Sequence, residues 1–264
     1  MLAYYLWSSL QAMKFYKYRR LDDHTEAIFT RYEKYFLRPA EFNDPFDCRI
    51  PVSFSGGTEN DYRNLLKGTL STSLKRKGLV LTSEHINFLI NQGLSDKSHG
   101  NLVQGLQDGL SHEILNNHGI FCMSEKNDDI LMWSHYANNH RGFCLEFPNS
   151  DVFQMARPVI YADTYPRVNF FEKSMEEIRN DVLLTKSTNW AYEKEWRILQ
   201  RDITPGVYCF RKPGFLTGVI FGLLMPEKDR QKIREWARQG EHEVEFYEAQ
   251  RTEGAFALQI VPIS

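Results

Sequence analysis

The sequence lacks the marks of several large protein classes. It has four cysteines in 264 residues, Cys48, Cys122, Cys144 and Cys209, and none stands in a C-x-x-C pair. That spacing argues against a structural zinc site and suits free thiols in a reducing cytoplasm. An excess of one charge is missing too, since 32 Lys and Arg against 34 Asp and Glu leave −2. The electrostatic footprint of a general nucleic-acid or anionic-membrane binder is therefore absent, and any polyanion has to be met by local basic groups. No apolar run approaches the roughly 18 residues of a spanning helix. The opening "MLAYYLWSSLQAM" has neither a positive n-region nor a small-residue cleavage site. These absences lead us to expect a soluble, cytoplasmic chain with no membrane partner. Neither G-x-G-x-x-G nor G-x-x-x-x-G-K-[ST] occurs, which removes the main support for a Rossmann or P-loop nucleotide site.

What is present suits one large domain, with 42% hydrophobic and 25% charged residues. Met13 opens "MKFYKYRR", so residues 1–13 read as an N-terminal extension or amphipathic lead-in and 14–264 as the domain. "KFYKYR" alternates aromatic and basic residues, the period of a strand with one buried face: Phe15 shares a side with Lys17 and Arg19, and Tyr16 with Tyr18. Residues 59–118 are more polar, with helical spacing, and read as a helical insertion. After it "GIFCMS" and "FCLEF" read as strands around the helix "DDILMWSHYANNHRG". "EWRILQ", "TGVIFG" and "EVEFYEAQ" supply later strands, the last two separated by the charged helix "PEKDRQKIREWARQ". The expected class is α+β with mixed or antiparallel sheets.

The stretch "YEKEWRIL" poses the chemical question. Read as a strand, it projects Glu193, Glu195, Arg197 and Leu199 from one face. One reading is a solvated charged face on which Arg197 pairs with a neighbouring glutamate. The other is a site, which needs partners: Arg19 for phosphate, Ser124 to fix a loop, and a carboxylate to steady oxocarbenium-like charge. Lys186 and Trp190 in "TKSTNWAYEKEWR" add a cation and a ring near the glutamates.

In chain order, Arg19, then Ser124 before a helix and an apolar strand, then Glu193-x-Glu195, resembles the Arg-Ser-Glu class of ADP-ribosyltransferases, although "CMSEK" stands where that class has Ser-Thr-Ser. The resemblance implies a split-sandwich fold and NAD as substrate. Arg19 would contact the dinucleotide, Ser124 hold the site together, Glu195 act as the catalytic glutamate, and Glu193 orient a protein or nucleic-acid acceptor, or water. A ring at Trp133 or Tyr136 would stack on the nicotinamide. A broader set of segments, "KYR", "FNDPFDC", "FCMSEKNDDILMWSHYANNHRGFCLEF", "TKSTNWAYEKEWR" and "VIFG", is similar to a bacterial family catalogued only as a domain of unknown function. It covers most of residues 14–222 outside the insertion and carries no biochemistry with it.

Two alternatives stay open. Asp44 and Asp47 in "FNDPFDC", with His135, His140 and the glutamates, would suit a metal-dependent hydrolase of nucleotides or nucleic acid. However, Asp44 also suits a structural turn, and His135 and His140 lie about 140° apart around a helix, so they are not a same-face ligand pair. In the bland reading of that helix Ile130, Trp133 and Ala137 pack inward. The third class is a nonenzymatic ligand-binding protein in a stress or phage response.

Overall fold

The computed structural model describes residues 13–95, 99–201, 206–209 and 215–263. Most of the expected N-terminal lead-in lies outside them. The strands in chain order are β1 (Lys14–Arg19), β2 (Glu33–Phe36), β3 (Val52–Ser53), β4 (His118–Ser124), β5 (Phe143–Pro148), β6 (Arg157–Pro158) and β7 (Ile160–Ala162). They continue as β8 (Val168–Asn169), β9 (Thr185–Ser187), β10 (Glu195–Arg201), β11 (Gly206–Cys209), β12 (Gly218–Phe221), β13 (Glu245–Arg251) and β14 (Leu258–Ile263). Eight of them form one mixed sheet, ordered β14-β13-β12-β5-β1-β4-β10-β6, so the class is α+β. Its one parallel pair among the described residues, β12 with β13, is joined by the helix Glu227–Gln239, as a crossover between parallel strands requires. Three helices, Glu59–Arg76, Ser83–Gly93 and His99–Asn116, lie between β3 and β4. No helix among the described residues is long and apolar enough to cross a membrane.

The alternation in "KFYKYR" is realised as a two-faced strand. Phe15 packs with Phe121, Met123, Phe143 and Ile198 on one side of the sheet, together with Phe29 and Ile233 from the covering helices Thr25–Thr30 and Glu227–Gln239. Tyr16 and Tyr18 lie on the other side. There the cover is divided: Trp133 and Met132 of the helix Ile130–Tyr136 form one apolar cluster, and Ile178, Val182 and Leu183 of the helix Met175–Leu184 belong to a second.

The sheet is not uniformly zipped. β1 pairs with β5 along its whole length and β10 with β4 along theirs, but β1 meets β4 at one pair, Tyr16 with Ser124. Where the two strands part, the Lys17 ammonium donates to Cys122 O at 2.7 Å and lies 4.3 Å from the Phe121 ring centroid. Lys17 is half-buried as a residue, and burial of its ammonium lowers its pKa to about 8.

The helix expected to run to Gly142 is shorter. Asp129 caps it through Leu131 and Met132 N–H, and it ends at Tyr136. Asn138, Asn139 and His140 then take three successive left-handed conformations. The shortening corrects the expected inward stripe: Met132, Trp133 and Ala137 are buried, while Ile130 is 40% exposed. Gly142 closes the turn. Its N–H donates to Ala137 O and its carbonyl accepts from Gly222 N, and a Cβ there would fall 2.1 Å from Arg19 O. Because that obstacle is backbone, Gly142→Ala is expected to destabilise the protein by about 3 kcal/mol. Urea unfolding followed by circular dichroism checks this, and an unchanged midpoint would contradict it.

Candidate active site

The two apolar clusters on the Tyr16 face leave a seam, and the seam holds charge. Arg197 on β10 is completely buried. Its Nη1 and Nη2 donate to both Asp47 oxygens at 3.0 and 2.6 Å, its Nε and Nη2 to both Glu195 oxygens at 2.8 and 3.0 Å, and its Nη1 also to Leu183 O at 2.7 Å. Such fork-on-fork pairing satisfies a guanidinium that is shielded from solvent. Lys186 on β9 supplies the second cation: its Nζ lies 2.5 Å from Glu193, 3.1 Å from Glu195 and 3.7 Å from Asp47. The Tyr136 hydroxyl donates to Glu193 at 2.6 Å. Glu195 N–H donates to the Tyr161 hydroxyl at 2.8 Å.

The two glutamates do not reach this seam by strand alternation, which corrects the expectation from "YEKEWRIL". Residues 188–193 form a 3₁₀ turn, Lys194 is left-handed (φ 46°), and β10 begins only at Glu195. That reversal turns Glu193 inward and leaves Lys194 exposed. Ser124 fixes the turn, donating from Oγ to Glu193 O at 2.6 Å and accepting from Lys126 N at 2.9 Å. In register Ser124 sits directly between Tyr16 and Glu195.

Three carboxylates therefore face two cations, and they do not share them equally. Burial by itself would raise the Glu195 pKa, but Arg197 and Lys186 hold it down to about 2. Among the described residues Glu193 has Lys186 as its one cation; burial, with the Glu195 charge added, raises its pKa above the usual glutamate value despite Lys186. Burial also raises the Tyr136 hydroxyl, and Glu193 pushes it the same way, so Tyr136 remains a donor. Over this network lies a half-open aromatic cluster. His135 is exposed, with its ring 6.4 Å from Trp190 and 6.3 Å from Tyr192, and Lys186 Nζ stands 4.9 Å from the Trp190 centroid.

The other expected site residues are placed elsewhere. Arg19 lies on the opposite face of β1 from Tyr16, and hence from Ser124 and Glu195, and pairs with Asp22 at 3.1 Å. The dinucleotide contact that the resemblance assigned to it is not available at this seam. Trp133 is fully buried, donates to Asn127 O and packs edge-on against Tyr18, so it is a core ring. Asp44 accepts from Phe46 N in a local turn, and Asp47 is committed to Arg197. His140 stacks on Trp133 and contacts Ser134. Among the described residues no group of three His, Cys, Asp or Glu is arranged to hold a metal ion.

Sequence reasoning did not find Tyr161, which reaches Glu195 because β7 runs parallel to β9 with Tyr161 opposite Lys186. Nor did it find the dish formed by His135, Trp190 and Tyr192. A cleft of about 350 Å³ is bounded by Lys126, Tyr192, Lys194 and Phe256, so it includes the two chain neighbours of Glu193 but no member of the charged network. A larger one of about 540 Å³, at Phe54, Tyr62, Leu94 and Val103, touches no member of the charged network either.

Residues 132–198 match a family described as a protein of unknown function, DUF2971. The matched stretch contains Tyr136, Lys186, Glu193, Glu195 and Arg197. Over those residues the chain is similar to that family, and no curated protein and no solved structure matches it.

The network makes a pH prediction. A carboxylate whose folded pKa is depressed stabilises the fold above its unfolded pKa, and that contribution is lost as pH falls through the folded value. For Glu195 the loss runs from about pH 4.5 down to about 2 and amounts to about 3 kcal/mol at the limit. Glu193, with its raised pKa, contributes in the opposite sense, favouring the fold while protonated and losing that contribution as pH rises through its folded pKa. Denaturant unfolding between pH 7 and 2 should show the acid-limb loss in the wild type and a smaller one in Glu195→Gln. Equal slopes in the two proteins would contradict the assignment.

Proposed function

We propose that this chain is an NAD-using enzyme of the ADP-ribosyltransferase or NAD glycohydrolase type, with Glu193 rather than Glu195 as its proton-handling group. One observation carries the reading: two glutamates share the Lys186 ammonium, yet their surroundings push their pKa values apart, beneath an aromatic surface that a planar ring can stack on. The bond from ribose C1′ to the nicotinamide nitrogen breaks, and its electron pair goes to the ring, which leaves neutral. The fixed negative charge of Glu195 favours the ribosyl cation through the low-dielectric interior. Water, or a protein or nucleic-acid acceptor, forms the new bond to C1′ and loses its proton to Glu193, whose raised pKa makes it the stronger base. Tyr136 holds Glu193 in place and Lys186 keeps the pair of carboxylates together.

A second reading, ligand binding without turnover, draws support from the burial of Glu193 and Glu195, which are 3% and 6% exposed. The assay is nicotinamide release from NAD by wild type, Glu193→Gln and Glu195→Gln, each checked for folding. Glu193→Gln is expected to lower kcat by about 100-fold or more. Background-level release by a folded wild type, with acceptors supplied, would refute the enzymatic reading. A melting shift with NAD but no product would then favour the second.

A further inference from the structure

We propose that the cleft beside Glu193 is a binding site for a nucleoside monophosphate unit, with Lys126 and Lys194 clamping the phosphate and Tyr192 and Phe256 holding the base. The inference rests on the preceding reading only in taking the ligand to be a nucleotide; its geometry is separate from the buried network. At about 350 Å³ the cleft lies at the small end of the range for ligand sites, enough for one nucleotide and too little to enclose a dinucleotide. An NAD molecule would thus be gripped here by one half.

The two ammonium groups are presented by backbone that is already fixed. Lys126 N–H is bound by Ser124 Oγ and its carbonyl accepts from the Tyr18 hydroxyl at 2.8 Å, while Lys194 O accepts from Glu125 N at 3.1 Å, so the two segments run side by side. Both lysines are exposed, and neither has an ion-pair partner among the described residues. Paired lysines held on rigid backbone, without a carboxylate partner, are what a phosphate dianion needs. Of the two acids at the cleft, Asp129 is occupied in capping its helix. Asp128 is exposed, and a carboxylate there accepts hydrogen bonds from ribose hydroxyls.

The aromatic half of the site explains an otherwise odd surface. Phe256 is fully exposed, at 101%, in the turn between β13 and β14, where a large ring contributes nothing to the core. Tyr192 lines the same cleft and stands beside Trp190 and His135. Base stacking on an aromatic ring tolerates any base, so the phosphate and ribose contacts define the ligand class.

Calorimetric titration with AMP, nicotinamide mononucleotide and adenosine tests this on wild type, Glu193→Gln, Phe256→Ala and the double variant K126A/K194A. Both monophosphates are expected to bind wild type and Glu193→Gln alike, and adenosine at least tenfold more weakly than AMP. The double variant should erase that tenfold preference, and Phe256→Ala should weaken AMP and adenosine equally. All the cleft substitutions are on exposed side chains, so folding is preserved. Absence of saturable AMP binding, or a phosphate preference unchanged in K126A/K194A, would overturn the proposal. Should AMP bind as expected while nicotinamide release stays at background, the catalytic reading falls and the cleft stands. Should release occur with a KM unmoved by the cleft variants, the reverse holds.

Discussion

The Arg197 guanidinium is the interaction on which the rest of the site depends. It has no exposure, and it binds Asp47 from the "FNDPFDC" turn, Glu195 from its own strand and the Leu183 carbonyl at the end of a helix. A charge taken out of water this completely is tolerable only if every donor finds an acceptor, and removing one partner of such a set typically costs about 3–5 kcal/mol. The requirement draws together three segments that share no apolar periodicity. It also gives Asp47 a charged partner inside the protein, where an unpaired carboxylate would be excluded.

From that constraint the unequal fate of the two glutamates follows. Glu195 is held by the guanidinium and Lys186 together, which lowers its pKa well below the usual glutamate value. Among the described residues Glu193 has one ammonium partner and faces the Glu195 charge, so burial leaves its pKa raised where that of Glu195 is lowered. The difference arises from neighbours, since the two side chains are chemically identical. The 3₁₀ turn makes it possible, because Ser124 and the left-handed Lys194 bring Glu193 to the same ammonium as a residue two positions later. The same reversal exposes Lys194, so the buried network and the outer cleft are two sides of one turn.

Much of the scaffold was legible in the residues. The alternation in "KFYKYR" placed Phe15 and Tyr16 on their proper sides, because a strand with one apolar face has no other way to lie against a core. The strand–helix–strand reading of "TGVIFG", "PEKDRQKIREWARQ" and "EVEFYEAQ" matches β12, its crossover helix and β13. The Glu-x-Glu pair was legible as a feature and not as a geometry: both side chains meet Lys186, but through a turn that period-two counting does not describe. Arg19 shows the opposite failure. Its place in an ordered motif suggested convergence with Ser124 and Glu195, while the pleat of its own strand sends it to the other face, where Asp22 takes it.

The sequence by itself determined the class of fold, since periodicity and turn residues act over a few positions and need no distant partner. It also marked the acidic, aromatic and basic residues among which a site had to be found. Only the tertiary structure decided which of them meet. Asp47 and Arg197 lie 150 positions apart, Tyr161 finds Glu195 through a strand pairing, and Trp133 becomes core while His135 and Phe256 face water. Burial and charge balance are properties of the assembled seam. The proton affinity that separates Glu193 from Glu195 therefore exists only once β4, β9, β10 and the Asp47 turn have closed around them.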